Sequence, residues 1–199
     1  MNLFMQCHTV RPEAFAAFPP GYEARRCRPE DVPVWTRLAA GEAYEQELVR
    51  YFERVYAPQA KAFFERFYLA VNSAGEAVGT CGLWRAYGQV ETVHWYRVLP
   101  QMEGLGLGRA LLSVVMRSVG DTPVYLHTHP ECDRAVHLYS EFGFELITDE
   151  RIGYRENHVE AGMAYLQAHM PPAYFEKLRL TQADEALRLA ALSKKKEEF

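Results

Sequence analysis

The spacing of apolar residues changes character twice along the chain. Val32, Trp35 and Leu38 recur at helical spacing within "RPEDVPVWTRLAA". Pro29 precedes them with Glu30 and Asp31, and a proline with two acids suits a helix's first turn. A second helical stretch runs over roughly Ala43 to Tyr56, where Pro58 interrupts it, and a short third over Gln59 to Arg66. The period then becomes that of strands. "FYLAV" (67–71), "AVGTCGLWRA" (77–86) and "QVETVHWYRV" (89–98) are separated by the turns "NSAGE" and "YG". They predict an antiparallel meander, ended by Pro100. "YEARRC" (22–27) adds a short strand after "PPG", and residues 1–20 read as a lead-in. Strict alternation on the last meander strand sets Glu91, Val93, Trp95 and Arg97 on one face. Val90, Thr92, His94, Tyr96 and Val98 then take the other.

Beyond Pro100 helical and strand patterns alternate. "RALLSVVMRSV" (109–119) predicts a helix burying Leu111, Leu112, Val115 and Met116. "TPVYLHT" (122–128) predicts a strand, and "ECDRAVHLYSEF" (131–142) a helix closed by Gly143. "FELIT" (144–148) predicts a further strand. "AGMAYLQ" (161–167) is expected to pair back on the polar stretch "DERIGYRENHVE" (149–160). Pro171–Pro172 start a final amphipathic helix, with Phe175, Leu178, Ala186 and Leu189 on one side. A meander followed by alternating strands and helices is an α/β fold, here an α+β mixed sheet. With 199 residues and no internal repeat or linker, residues 1–199 are expected to form a single domain: lead-in 1–20, core 22–170, C-terminal helix and tail 171–199.

Composition removes several function classes. A net charge of −4 without a basic patch argues against nucleic acid. The one basic run, Lys194 to Lys196, passes at once into "EEF" and reads as a solvated tail. No window approaches the ~18 apolar residues of a membrane span, and the start lacks the features of a signal peptide. Cys7, Cys27, Cys81 and Cys132 are scattered without a close pair, which suggests reduced thiols and a cytoplasmic protein.

Two segments could carry chemistry. In "QMEGLGLG" (101–108), Gly104, Gly106 and Gly108 alternate just ahead of a helix. Such glycines let backbone approach a ligand, and the free amides of a helix start form a ready anion site suited to a pyrophosphate. A dinucleotide site would need G-x-G-x-x-G after the first strand of a βαβ unit, and a P-loop would need G-K-[ST]. The spacing here is G-x-G-x-G after a meander. The remaining alternative is a tight loop without a ligand. "YLHTHPEC" (125–132) holds His127, His129 and Cys132. A structural zinc needs about four ligands around one point, and two strand histidines plus a cysteine across a proline turn do not supply them. No metal is therefore expected. A catalytic pair and a plain strand running into a turn are the readings that remain.

"VLPQMEGLGLGRALL" resembles the acyl-CoA signature of the GNAT superfamily, the acetyl-CoA-dependent N-acetyltransferases. "CDRAVHLYSEFGFELI" is similar to the family's later segment, N-x-x-A-x-x-L-Y-x-x-x-G-F, and one strand lies between the two. The resemblance covers about residues 22–170. It implies a GNAT-like central sheet with flanking helices and a splayed cleft for CoA. Two positions depart from the pattern: Glu103 stands where an Arg or Gln is usual, and Cys132 replaces an asparagine beside the pantetheine arm.

The resemblance implies that the Val98 N–H holds the thioester carbonyl and later the oxyanion. The amides of Met102, Gly104, Gly106, Leu107 and Gly108 would bind the pyrophosphate, with Arg109 in support. Tyr139 would protonate the departing thiolate. Glu91, then His94, are the candidates for the base that deprotonates the amine. An ion pair with Arg97 is the plain alternative for Glu91. The implied activity is acetyl transfer from acetyl-CoA to an amine by direct attack. A small-molecule amine is the expected acceptor, shaped by the first two helices and by "DERIGYRENHVE", whose acids would suit a cation. A CoA-binding sensor or inactive transferase is the alternative. No nucleic-acid or membrane partner is expected, and a homodimer is left open.

Overall fold

The computed structural model describes residues 1–192 and Glu198; for Glu42 only the backbone is considered. The expected tail Lys194 to Lys196 lies outside the described residues. The strands are β1 (Leu3–Cys7), β2 (Tyr22–Arg26), β3 (Phe67–Asn72), β4 (Ala77–Ala86), β5 (Val90–Val98), β6 (Val124–Thr128), β7 (Glu145–Ile147), β8 (Arg151–Ile152), β9 (Arg155–Glu156) and β10 (Leu180–Thr181). The helices are α1 (Val32–Ala40), α2 (Glu45–Tyr51), α3 (Ala60–Arg66), α4 (Leu107–Met116), α5 (Asp133–Glu141), α6 (Val159–His169), α7 (Pro172–Phe175) and α8 (Glu185–Ala191). Eight strands form a mixed sheet in the order β10-β7-β1-β6-β5-β4-β3-β2, and β8 and β9 form a separate hairpin. The α+β mixed sheet read from the pattern is the observed architecture; β3 and β4 of the expected meander pair antiparallel, β5 lies beside β4, and β2 adds antiparallel to β3.

The chain divides into two compact units: residues 1–14, 85–92 and 121–199, and residues 15–84 and 93–120. In the second, α4 packs on β2 and β3 with Leu111, Leu112, Val115 and Met116 buried, the face expected of it. The segment after α2 winds into a π-helical turn, Phe52–Tyr56, before Pro58 and α3. It delivers rings to a cluster around Trp35, which lies 5.0 Å from Phe63, 5.9 Å from Tyr56 and 6.2 Å from Trp95 between centroids. Trp35, Tyr56, Phe63 and Phe67 are fully buried. Edge-to-face pairs of this kind add about 0.5–1.5 kcal/mol each beyond simple burial.

In the first unit the sequence expectation needs correcting. Leu3–Cys7 is a core strand and no lead-in: it pairs antiparallel with β6 (Leu3↔Thr128 to Cys7↔Val124) and with β7, and all five residues are buried. Burial on both faces removes the alternation that would have marked "LFMQC" as a strand. Residues 161–167 are helical within α6, where Gly162 lets the helix lie on Leu3; a Cβ there would stand 2.6 Å from a Leu3 methyl. The single C-terminal helix expected from Pro171 is α7, β10 and α8 in succession, and α8 buries Leu187, Ala190 and Ala191 while Ala186 and Leu189 are exposed. Gly143 closes α5 at φ 101, where a Cβ would meet the Thr9 carbonyl oxygen at 2.5 Å.

Candidate active site

The glycine loop follows β5 through the turn Pro100–Met102. Met102 is held there: its N–H donates to the Leu99 carbonyl at 2.8 Å, and its sulfur accepts from the Tyr22 hydroxyl at 3.7 Å. Its amide therefore serves the turn, as does that of Glu103, which donates to the Pro100 carbonyl at 3.2 Å. Gly104 and Gly106 have φ of 79 and 82, a conformation that favours glycine, and nothing stands within 4 Å of where their Cβ atoms would lie. Gly108 is required for a different reason. Its backbone is ordinary, but a Cβ would lie 2.2 Å from the Tyr96 hydroxyl. Burial pushes the phenol of Tyr96 far above its usual range, so this hydroxyl keeps its proton.

The first backbone bond into α4 runs from Ala110 N–H to Gly106 C=O at 3.1 Å. The N–H groups of Leu107, Gly108 and Arg109 thus precede the helical ladder, at the positive end of the dipole. Open space beside Gly104 and Gly106, a left-handed cap and three leading amides fit a pyrophosphate group. Glu103, the acidic departure in the loop, is exposed. Val98 ends β5, where Gly79 on β4 lets the strands close up: a Cβ on Gly79 would meet the Arg97 carbonyl at 3.1 Å and the Val98 methyl at 3.3 Å.

On β5, Trp95 takes φ 52, rare for a bulky residue and worth about 1–3 kcal/mol of strain. This kink breaks the alternation read from the sequence. Trp95 joins His94 on one face, and both meet Tyr56: His94 Nδ1 is 2.6 Å from the Tyr56 hydroxyl, and the Trp95 indole N–H donates to the same hydroxyl at 2.9 Å. Arg97 also faces α1, its guanidinium donating to the Ala39 carbonyl at 3.4 Å. Nothing in sequence spacing signals Tyr56, because its partners depend on the kink and on the π-helical turn. Glu91 and His94, three apart on the regular part of the strand, point to opposite faces.

Glu91, Cys132, Tyr139, His127 and His129 belong to the other unit. Tyr139 is 6% exposed, with its ring 5.8 Å from that of Phe144. Cys132 is exposed, and its N–H donates to the His129 carbonyl at 3.0 Å. His127 bridges three segments: Nε2 lies 3.1 Å from Asn2 Oδ1, Nδ1 lies 3.3 Å from the Arg155 guanidinium, and its ring packs on Phe4. Arg155 can only donate, so the His127 ring carries its proton on Nε2 and gives it to Asn2. His129 binds the Met1 carbonyl through Nδ1 at 2.6 Å. His127 thereby ties β6 to neighbouring side chains, and His129, just past β6, holds the Met1 backbone. The acids of "DERIGYRENHVE" are partly committed as well: Glu156 pairs with Arg151 at 3.0 Å, and Asp149 accepts the Ala183 N–H at 2.7 Å.

A family model for the acetyltransferase (GNAT) family matches residues 30–144, over half of the 199. A GCN5-related N-acetyltransferase from Sphaerobacter thermophilus has a similar fold, with a TM-score of 0.51 and 21% identity over 73% of this chain and 48% of that one. A tandem GNAT protein from the clavulanic acid biosynthesis pathway gives 0.52 and 18% over 72% and 49%. The chain thus spans about half the length of these two relatives. A functionally unknown conserved protein from Staphylococcus epidermidis gives 0.51 and 11% over 73% and 58%. No curated protein matches the chain.

Proposed function

The chain belongs to the GNAT acetyltransferase family, and on that premise we propose that it transfers the acetyl group of acetyl-CoA to a small-molecule amine. The observation that carries this reading is the start of α4: a left-handed glycine cap, open space at Gly104 and Gly106, and amides ahead of the helical ladder. The amides of Gly104, Gly106, Leu107 and Gly108 take the pyrophosphate, helped by the Arg109 side chain. Met102 shapes the turn that presents them. Cys132 lies along the pantetheine arm.

The amine attacks the thioester carbonyl directly. A C–N bond forms, the Val98 N–H stabilises the oxyanion, and collapse breaks the C–S bond. A base on β5, Glu91 or His94, takes the amine proton, and Tyr139 gives its proton to the CoA thiolate. The acceptor is a small-molecule amine, a reading supported by the close-packed aromatic rings around Trp35 and Tyr56. Free thiols at all four cysteines, three of them buried, support a reducing compartment such as the cytoplasm. Among the described residues no helix is long and apolar enough to cross a membrane.

The test is to incubate the chain with acetyl-CoA and a panel of primary amines and follow free thiol. Release with at least one amine supports transfer. CoA binding by calorimetry with no thiol release for any amine would instead support the binding-only sensor.

A further inference from the structure

The guanidinium of Arg97 is a cation that the fold leaves without an acid. It is half-buried and forms no ion pair among the described residues. Glu45, an acid of the loop after α1, pairs instead with Arg37 at 3.6 Å. Among the described residues Arg97 makes one side-chain bond, from Nη1 to the Ala39 carbonyl oxygen at 3.4 Å, which leaves four of its five N–H groups over. A planar fork with spare donors, held partly out of water, matches a carboxylate, which accepts two parallel bonds from it.

The loop after α1 is shaped around this group. Gly41 has φ 76 and ψ 166, a region of backbone that in practice only glycine enters. A Cβ there would stand 3.0 Å from Nη1, 3.3 Å from Nη2 and 3.5 Å from the carbon between them. Gly41 therefore lies against the outer end of the fork, and the side edge, Nε with Nη2, is the pair left for a ligand. The partial negative charge of the α1 C-terminus accounts for the bond to Ala39 but occupies only that donor.

The position on β5 bears on the reaction. Leu99 N–H donates to the Val78 carbonyl at 2.9 Å, so residue 99 faces β4, and the Val98 N–H, one residue back, points away from β4. The peptide that carries this N–H is the one that joins Arg97 to Val98.

We propose that Arg97 binds a carboxylate of the acceptor, so that the amine this chain acetylates is an amino acid or a similar amino carboxylate. The proposal rests on the acetyl-transfer reading for the reaction, and not for the anion site itself. It replaces the purely cationic acceptor that the acids of "DERIGYRENHVE" would suit.

The experiment compares matched amines that differ by one carboxylate: glycine with methylamine, β-alanine with ethylamine, 4-aminobutyrate with propylamine, and phenylalanine with phenethylamine. Thiol release from acetyl-CoA gives kcat/KM for each. At least one amino carboxylate should exceed its partner by tenfold or more. Arg97→Gln should shrink that ratio on the order of 10–100-fold, the worth of hydrogen bonds to a charged group. Arg97→Lys still offers α1 a charge but lacks the fork; it should also lose most of the preference, and it serves if Arg97→Gln folds poorly. Equal rates within every pair, faster reaction of the carboxylate-free amines, or an equal fall for both members in the variants would overturn the proposal and leave Arg97 a helix cap.

A binding measurement separates the anion site from the reaction. The full chain labelled with 15N at arginine is titrated with N-acetylglycine and, as a control, with N-methylacetamide, with CoA held constant and Arg97→Gln to assign the signal. N-acetylglycine alone should move the Arg97 Nε–H resonance. If it does so while no amine is acetylated, the anion site stands and the transfer reading falls. A resonance that N-acetylglycine leaves in place, or that both compounds move alike, overturns the site.

Discussion

The approach of Tyr96 to the first turn of α4 can be tested by adding one carbon. In Gly108→Ala the new Cβ would lie 2.2 Å from the Tyr96 hydroxyl oxygen and 3.3 Å from the ring carbon that bears it. The first distance is impossible without movement; the second is only tight. Overpacking costs typically about 1–3 kcal/mol, while alanine in place of glycine inside a helix returns about 0.5–1 kcal/mol. The net loss with Tyr96 present is therefore about 0–2.5 kcal/mol. In a Tyr96→Phe background the offending oxygen is gone, and the same substitution should be neutral or stabilising by up to about 1 kcal/mol. The coupling in a four-protein cycle is then on the order of 1–3 kcal/mol. Urea unfolding at pH 7 of the unaltered chain, the two single variants and the double variant measures it. Coupling near zero, with Gly108→Ala equally damaging in both backgrounds, would refute the steric account and make backbone freedom the reason for glycine here.

Other consequences follow from single contacts. Asp31 pairs with Arg25 at 2.5 Å and accepts the Arg28 N–H at 2.8 Å, which together hold its carboxyl below the usual 3.8. A lowered carboxyl pKa gives stability that is present above the unfolded value and lost as pH falls through the folded one. Asp31→Asn should thus cost about 1.5–3 kcal/mol at pH 7, and the gap between variant and parent should close below about pH 4 in denaturant midpoints. Only Cys132 is exposed among the four cysteines, while burial raises Cys7 to about 11 and Cys27 to about 12. Iodoacetamide on the native chain should label Cys132 first by mass spectrometry, and acetyl-CoA should slow that labelling; equal labelling with and without acetyl-CoA would separate Cys132 from the cofactor arm. Tyr139→Phe should slow thiol release on the order of 10²-fold with acetyl-CoA affinity nearly unchanged, and a collapse of affinity would make Tyr139 a packing residue.

What the residues disclose in advance depends on how local the cause is. The loop 101–108 and α4 are legible because glycine conformations, a helix start and a 3.6 period are properties of neighbouring residues. "LFMQC" is not, because its identity as a strand comes from β6 and β7, more than a hundred positions away, at its two edges, and burial of all five residues erases the alternation. The face of α8 is misread for a related reason: β10 intervenes, so the periodic run does not begin at Pro171. On β5 the alternation rule holds up to His94 and fails at Trp95, since one left-handed residue reverses the parity of everything after it. His127 looks like a ligand in sequence because histidine is ambiguous; its contacts to Asn2 and Arg155 are tertiary and leave no local trace.

The pairing of β1 with β6 also sets an order on synthesis. Leu3 meets Thr128, so the strand emerges from the ribosome long before its partner exists. At about 5–20 residues per second, that interval is on the order of 6–25 s. During it "LFMQC" is an apolar segment with both hydrogen-bonding edges vacant, a target for chaperones or for β1 of another nascent chain. All residues of the unit 15–84 and 93–120 have been made by residue 120, while β1 still lacks both its partners. A stall or slow codon run between residues 120 and 147 would lengthen the exposure of β1, and soluble yield should be most sensitive to translation rate there.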